Sequence, residues 1–382
     1  MSTPAVAAPT PANIRPPAGP DTTCTTTTNN NNTSSPQPPS PVKFDPTTHL
    51  AYTPPAHTVT LPEISLPPSP LSAVACTEPF PLLSHAAIQQ HRREIFHPTT
   101  LANCLHATHP GSAYVRGMAP RYAPFVHDFW HSPEVLAIVS RHAGVDLVPA
   151  MEYEVAHTNV QLGPDGLPGV WGVPVEPPAA TEGAVEAFAA GKGGGGGGDG
   201  KRNIVEWHKD SHPFVCVVML SDARNMLGGE TEMRCGGDDG RTVKVRAPQM
   251  GGAVILQGRY IEHTALPTTN MPERITIVTS FRPRDPTLLD ETTNLNTRDK
   301  SHLTELYYQW TTYRLDVLAQ RARAAAEGLR EKYAENVRES DREGKPGMCR
   351  VETVKFAEVE AWVKEQTLYL QQTLFEMRAL EQ

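Results

Sequence analysis

Apolar positions along this chain follow two different periods, and the change between them divides it. Between residues 203 and 282 short apolar runs recur: Phe214 to Leu220, Thr242 to Val245, Ala253 to Leu256 and Ile275 to Phe281. Turns such as Leu227-Gly228-Gly229 and Cys235 to Gly240 separate them. Short strands at this spacing predict a β-sandwich or barrel. Upstream, Met151 to Leu162 alternates in part and is bounded by Pro149 and by Gly163-Pro164, which predicts one more strand. Two helices are expected before it. One runs from Ser84 to Phe96 with Ser84 as N-cap, and one from Pro133 to Ala143 with Val135, Leu136, Ile138 and Val139 as its apolar stripe. After Pro286 the period turns helical. Leu303, Leu306, Trp310, Tyr313, Leu315 and Leu318 share a face, and Phe356, Val359, Trp362, Val363, Leu370 and Leu374 form a second one beyond the break at Pro346-Gly347. The expected fold is a mainly β core with flanking N-terminal helices and long C-terminal helices.

Composition sharpens the boundaries. Residues 1–60 are rich in Pro, Thr, Ser and Asn and are expected to be a disordered tail, because they offer too little apolar surface to offset their ordering entropy. Residues 61–80 stay proline-rich and are expected to lie extended on a folded body. Residues 163–202, with the unbroken run Gly193 to Gly198, read as a flexible insertion within a domain spanning 61–290. Residues 291–382 form the helical extension. Gly195 to Lys201 matches the front of a phosphate-binding loop, but Arg202 stands where that motif needs Ser or Thr for magnesium. It is read as a chance match.

The 382 residues carry a formal charge of −8, with a sequence pI near 6.0. No nucleic-acid partner is expected of such a chain. Six cysteines are scattered without a C-x-x-C pair, as free thiols in a reducing compartment would be. The first 30 residues lack a basic region followed by an apolar one, and no apolar run approaches a membrane span. A cytoplasmic location is expected, and nothing in the sequence excludes the nucleus.

Candidate chemistry concentrates in three short segments. In Glu206-Trp207-His208-Lys209-Asp210-Ser211, residues two apart on extended chain face the same side, so His208 and Asp210 can address one ion. A third ligand is expected at His263, whose neighbour Glu262 would point elsewhere. Two imidazoles and one carboxylate leave three positions open, as in the facial triad of non-haem iron(II) enzymes. Arg274 opens the last apolar strand, with Thr276 on the same side, and a guanidinium beside a hydroxyl suits a carboxylate. The competing use of Arg274 is a salt bridge to an internal Asp or Glu. Tyr153, Asn159 and Gln161 are spaced by even numbers and could share a face toward the same site. A polar edge strand would look the same. His212, four beyond His208, is placed at the site entrance or the surface, and Cys216, Tyr260 and Trp207 in packing roles.

The order H-x-D, His263, then Arg274-x-Thr276 resembles the iron(II)/2-oxoglutarate dioxygenase superfamily. Leu227-Gly228-Gly229-Glu230-Thr231 is similar to a turn of its prolyl-hydroxylase-type members. Trp207 to Pro283 also resembles a largely uncharacterised group of fungal proteins with such a domain. The resemblance implies a double-stranded β-helix, or jelly-roll, core. It implies Fe(II) on His208, Asp210 and His263, and 2-oxoglutarate anchored by Arg274 and Thr276, with Tyr153 and Asn159 as further cosubstrate contacts. The implied reaction is hydroxylation of an unidentified substrate by dioxygen, with release of succinate and CO2. Collagen-type prolyl hydroxylases often carry lysine where Arg274 stands, which counts against peptidyl proline. The substrate is expected to be a small molecule or of amino-acid type, and a homodimer through the C-terminal helices is expected. Two alternatives stay open: a non-catalytic β-barrel binding or scaffold protein, and a cupin-type metal enzyme that does not use 2-oxoglutarate.

Overall fold

The computed structural model describes residues 42–109, 112–162, 181–189, 205–237, 239–266, 268–342, 349 and 351–380, all within the compact unit Pro41–Gln382. In chain order it holds helix α1 (Pro46–His49), strand β1 (Thr58–Thr60), a 3-10 turn (Pro62–Ile64), β2 (Val74–Thr77), β3 (Phe80–Pro81), α2 (His85–Ile95) and α3 (Pro98–Cys104). Next come β4 (Leu105–His109), β5 (Ser112–Val115), α4 (Pro124–His131), α5 (Pro133–Ala143), β6 (Leu147–Pro149), a 3-10 turn (Glu152–Glu154), β7 (His157–Leu162) and α6 (Glu182–Ala189). The strand-rich part follows: β8 (Val205–His208), β9 (Phe214–Met219), β10 (Leu227–Gly228), β11 (Thr231–Arg234), β12 (Thr242–Val245), β13 (Gly252–Leu256), β14 (His263–Ala265), β15 (Thr268–Thr269) and β16 (Glu273–Pro283). A 3-10 turn (Arg298–Lys300) leads to α7 (Leu303–Arg342) and α8 (Phe356–Phe375).

The larger sheet runs β1-β2-β13-β9-β16-β7-β5-β4, with β3 beside β13 and β6 beside β16. The smaller runs β12-β11-β14-β8. Side-chain parity explains why the apolar runs read as nearly continuous: both faces of the large sheet are covered. On one face Phe214, Cys216, Val218, Ile255, Ile275 and Ile277 pack with Ile88, Phe125, Phe129, Trp130 and Val139 of the helices. Trp130 is fully buried there, and truncating such a side chain costs about 3–5 kcal/mol. On the other face Val215, Val254 and Leu256 meet Met233 and Val245 of the smaller sheet. The two sheets therefore enclose the second apolar cluster and, beside it, the cavity described below.

The expected helices are present. Ser84 caps α2 by accepting from the Ala87 amide (3.2 Å). Order begins well before residue 61, contrary to the composition of the tail. Asp45 caps α1, Phe44 sits edge-on to Phe129 at 5.2 Å, and β1 pairs with β2 at the edge of the large sheet. A few well-placed apolar and capping residues therefore outweigh the proline content of residues 42–60. Residues 1–41 lie outside the described residues. So do the glycine run and the phosphate-loop match, while the insertion between 163 and 202 contains α6.

The strand expected over Met151 to Leu162 is shorter. It begins at His157, and Glu152–Glu154 forms a 3-10 turn. The cause is distant in sequence: the Tyr153 amide donates to Gln309 Oε1 (2.7 Å), and the Tyr153 hydroxyl accepts from the His302 amide (2.8 Å). The α7 face that packs is Leu306, Trp310, Tyr313 and Val317, with Leu315 exposed. In α8 the buried positions are Gln366, Tyr369 and Thr373, not the apolar row, because Trp310 and Arg314 take their hydrogen bonds there. Phe356, Leu368, Leu374 and Phe375 stay exposed. No helix among the described residues is long and apolar enough to cross a membrane.

Candidate metal centre

Strand pairing creates the site. β8 and β14 are antiparallel with His208 directly opposite His263, and their ring centroids lie 4.4 Å apart. β11 holds β14 from its other side, Met233 facing His263 in register. The turn before β11 reverses through Gly228 and Gly229, at φ 80° and 79°, a left-handed conformation that favours glycine. Asp210 is fixed by its amide, which donates to the Gly258 carbonyl (2.9 Å). Glycine at 258 leaves room for that carboxylate: a Cβ there would stand 1.8 Å from Asp210 Oδ2.

The protons are arranged for a cation. His208 Nδ1–H donates to the Glu206 carbonyl (2.8 Å) and His263 Nδ1–H to the Ile261 carbonyl (2.9 Å). In the neutral imidazoles each Nε2 is left as a lone pair, the second-sphere arrangement usual for metal-binding histidines. These lone pairs face the Asp210 carboxylate at 3.4 Å (His208 to Oδ1) and 3.6 Å (His263 to Oδ2). Asp210 Oδ2 is buried without a hydrogen-bond partner. Burial alone would raise the Asp210 carboxyl, but His263 and His208 outweigh it and hold it below the ordinary carboxylate range. Two imidazole lone pairs and an ionised carboxylate, one ligand atom each and all within 4.8 Å, form a His-Asp-His set able to hold a divalent ion. Glu262 turns the other way, onto Arg234 (3.1 Å), which stacks on Trp207.

The triad opens on a cavity of about 230 Å³ between the sheets. Arg274 and Thr276 both line it from β16, opposite Gln161 and Asn159 of β7, which line it too. Arg274 makes no ion pair among the described residues, its Nε has no partner, and burial alone pulls its guanidinium down to about 10. The salt-bridge use belongs instead to its neighbour: Glu273 faces the helices and takes a bidentate pair from Arg92 (2.7 and 3.0 Å). Tyr153 does not reach the cavity; the 3-10 turn carries it into the cluster with Trp310. His212 is buried rather than superficial, and lines the cavity with Nε2 unpartnered. Cys216 is core, as expected.

Several lining residues escaped the sequence reading. Arg116 and Glu154 form a fully buried ion pair, with Arg116 Nη1 and Nε left over. Lys300 reaches the same space across the Tyr114 ring (5.1 Å). His157 faces in from β7, and burial, followed by Arg116, holds it well below its ordinary value and so neutral. No motif marks these positions; only His157 could have been found, by its parity with Asn159.

No family model matches the chain, and no curated protein matches its sequence. Several solved structures are similar in part. One is an oxidoreductase of the 2OG-Fe(II) oxygenase family from Burkholderia pseudomallei, 12% identical, with a TM-score of 0.30 over 52% of this chain and 89% of that one. A prolyl-4-hydroxylase from Pseudomonas putida is 15% identical, TM-score 0.30, over 53% and 89%. A dioxygenase for auxin oxidation in rice is 13% identical, TM-score 0.27, over 53% and 70%. Likenesses this distant decide neither fold nor activity.

Proposed function

We propose that this chain is an Fe(II)- and 2-oxoglutarate-dependent dioxygenase that hydroxylates a small or amino-acid-type substrate. The observation that carries it is Arg274: a buried guanidinium that makes no ion pair among the described residues and lines the same cavity as His208, Asp210 and His263. Burying a cation without a counter-charge is costly, so its partner is to be sought in a bound ligand. A dicarboxylate with one end near the metal and the other on Arg274 answers that need. Two sheets flanking the site support the double-stranded β-helix as its frame.

His208, Asp210 and His263 would hold Fe(II), which with 2-oxoglutarate and dioxygen would supply an oxidant for C–H bonds, the keto acid leaving as succinate and CO2. Arg274 and Thr276 orient the far carboxylate of the keto acid, and Asn159 stands beside them in register. Val215, Val217 and Val278 form the dry wall. The polar wall of Arg116, Glu154, His157, His212 and Lys300 receives the substrate. The cavity is small for a ligand site and favours a compact polar substrate or one inserted side chain. The homodimer reading is supported by the exposed apolar row of α8.

A cupin-type enzyme without 2-oxoglutarate would have no use for Arg274, and a scaffold would have no use for the metal. Anaerobic calorimetry with Fe(II) and 2-oxoglutarate separates the three. Metal-dependent binding of 2-oxoglutarate, weakened at least 100-fold by Arg274→Met, is the expected result. Iron binding without 2-oxoglutarate would favour the cupin reading, and binding of neither the scaffold.

A further inference from the structure

Away from the cavity, α4 and the Glu152–Glu154 turn bring a second set of potential ligands together. His127 and His131 are four apart on α4, so both imidazoles leave the same face. Their rings stack at 4.1 Å. Glu152 meets both: Oε2 lies 3.3 Å from His127 Nε2, and Oε1 lies 3.3 Å from His131 Nε2. All three ligand atoms fall within 4.8 Å of one another.

Here too the ring protons are already engaged on the far side. His131 Nδ1–H donates to the His127 carbonyl (2.9 Å), and His127 Nδ1–H donates to Asp128 Oδ1 (3.3 Å). Both Nε2 atoms therefore turn lone pairs toward a carboxylate. Glu152 Oε2 is shielded from solvent and makes no hydrogen bond. With both rings neutral, these lone pairs repel one another and the carboxylate unless a cation sits among them. Protons on both imidazoles would turn these contacts into ion pairs, whereas a divalent ion satisfies them with both rings neutral. The side chains are 25%, 29% and 38% exposed, open enough for an ion to enter and for water to complete its shell.

We propose that His127, His131 and Glu152 form a second metal site, for a zinc-class divalent ion, independent of the His208 triad. Two imidazoles with a carboxylate, each imidazole braced through its other nitrogen, suit zinc in a four-coordinate site with one water. The ion would clamp α4 to the turn that carries Tyr153, hydrogen-bonded to the start of α7, and Glu154, paired with Arg116 in the cavity wall. Its role is therefore to hold that wall in place.

The test uses the full-length, tag-free chain carrying His208→Ala and Asp210→Ala, which removes the first centre. Chelator-stripped protein is titrated with Co(II) and Zn(II), followed by calorimetry and the visible cobalt spectrum. One equivalent is expected, with a four-coordinate cobalt spectrum, lost or weakened at least 100-fold by His131→Ala and by the nearly isosteric Glu152→Gln. Far-ultraviolet circular dichroism in chelator confirms that both variants are folded. No equivalent in the triad-disabled chain, or binding indifferent to both substitutions, would overturn the proposal.

Discussion

His208 and His263 are register partners on adjacent antiparallel strands, and each anchors its Nδ1 proton on the carbonyl two residues before it. Backbone pairing, not loop placement, thus sets the spacing of the two imidazoles. Alanine at either position, or at Asp210, should weaken Fe(II) binding at least 100-fold. Glu262→Gln should leave it within about threefold, because Glu262 serves Arg234 on the opposite side. Anaerobic iron titration of the four variants checks this; an equal loss in Glu262→Gln would reassign the third ligand.

Arg274 is buried at the expense of the fold, which the proposed ligand would offset. Its guanidinium is held at about 10 rather than 12.5 by burial, a shift worth roughly 3 kcal/mol at most against the empty folded state. Arg274→Met should therefore raise the denaturant midpoint of ligand-free protein while abolishing 2-oxoglutarate binding. A lowered midpoint would mean that the arginine has a structural partner.

Gly258 offers a subtler test. A methyl group there collides with Asp210 Oδ2, whereas the Asp210 amide bond to the Gly258 carbonyl needs only backbone. Gly258→Ala should displace the carboxylate and lower iron affinity about 10- to 100-fold, within the range for residues that orient ligands. Loss of the cooperative unfolding transition instead would mark the position as structural.

Acid sensitivity should come partly from His91, which is buried beside His49, Phe125 and Phe129. Burial lowers it from 6.5 to about 4. Below pH 6.5 the unfolded chain takes up a proton that the folded chain refuses. Its share of stability is therefore complete above about 6.5 and is lost as pH falls toward 4, up to roughly 3 kcal/mol. Unfolding free energies at pH 7 and pH 5 should differ less in His91→Leu than in wild type. An unchanged difference would clear His91 of the effect.

The local chemistry was legible in the sequence because strand geometry has a period of two. Arg274 with Thr276 on β16 follows from that parity, whereas Asp210 and Glu262 lie just outside the strands and Lys209, expected to turn away, lines the cavity beside His208 and Asp210. Tyr153 was not legible, because its turn is imposed by Gln309 and His302, about 150 residues further on. The Arg116–Glu154 pair and Lys300 reach the cavity through contacts that no spacing encodes. The ordered stretch at 42–60 was hidden by proline content that one cap and one aromatic contact outweigh. In α8, apolar residues marked the helix but not its buried side, since the packed face is made of hydrogen-bonding groups.

The central claim is best tested by succinate release from 2-oxoglutarate after anaerobic reconstitution with Fe(II), comparing wild type with His208→Ala and Arg274→Ala. Slow iron-dependent succinate formation in wild type, absent from both variants, is the predicted result. Succinate formed equally well by either variant, or wild type that neither turns over nor binds iron and 2-oxoglutarate, would contradict it.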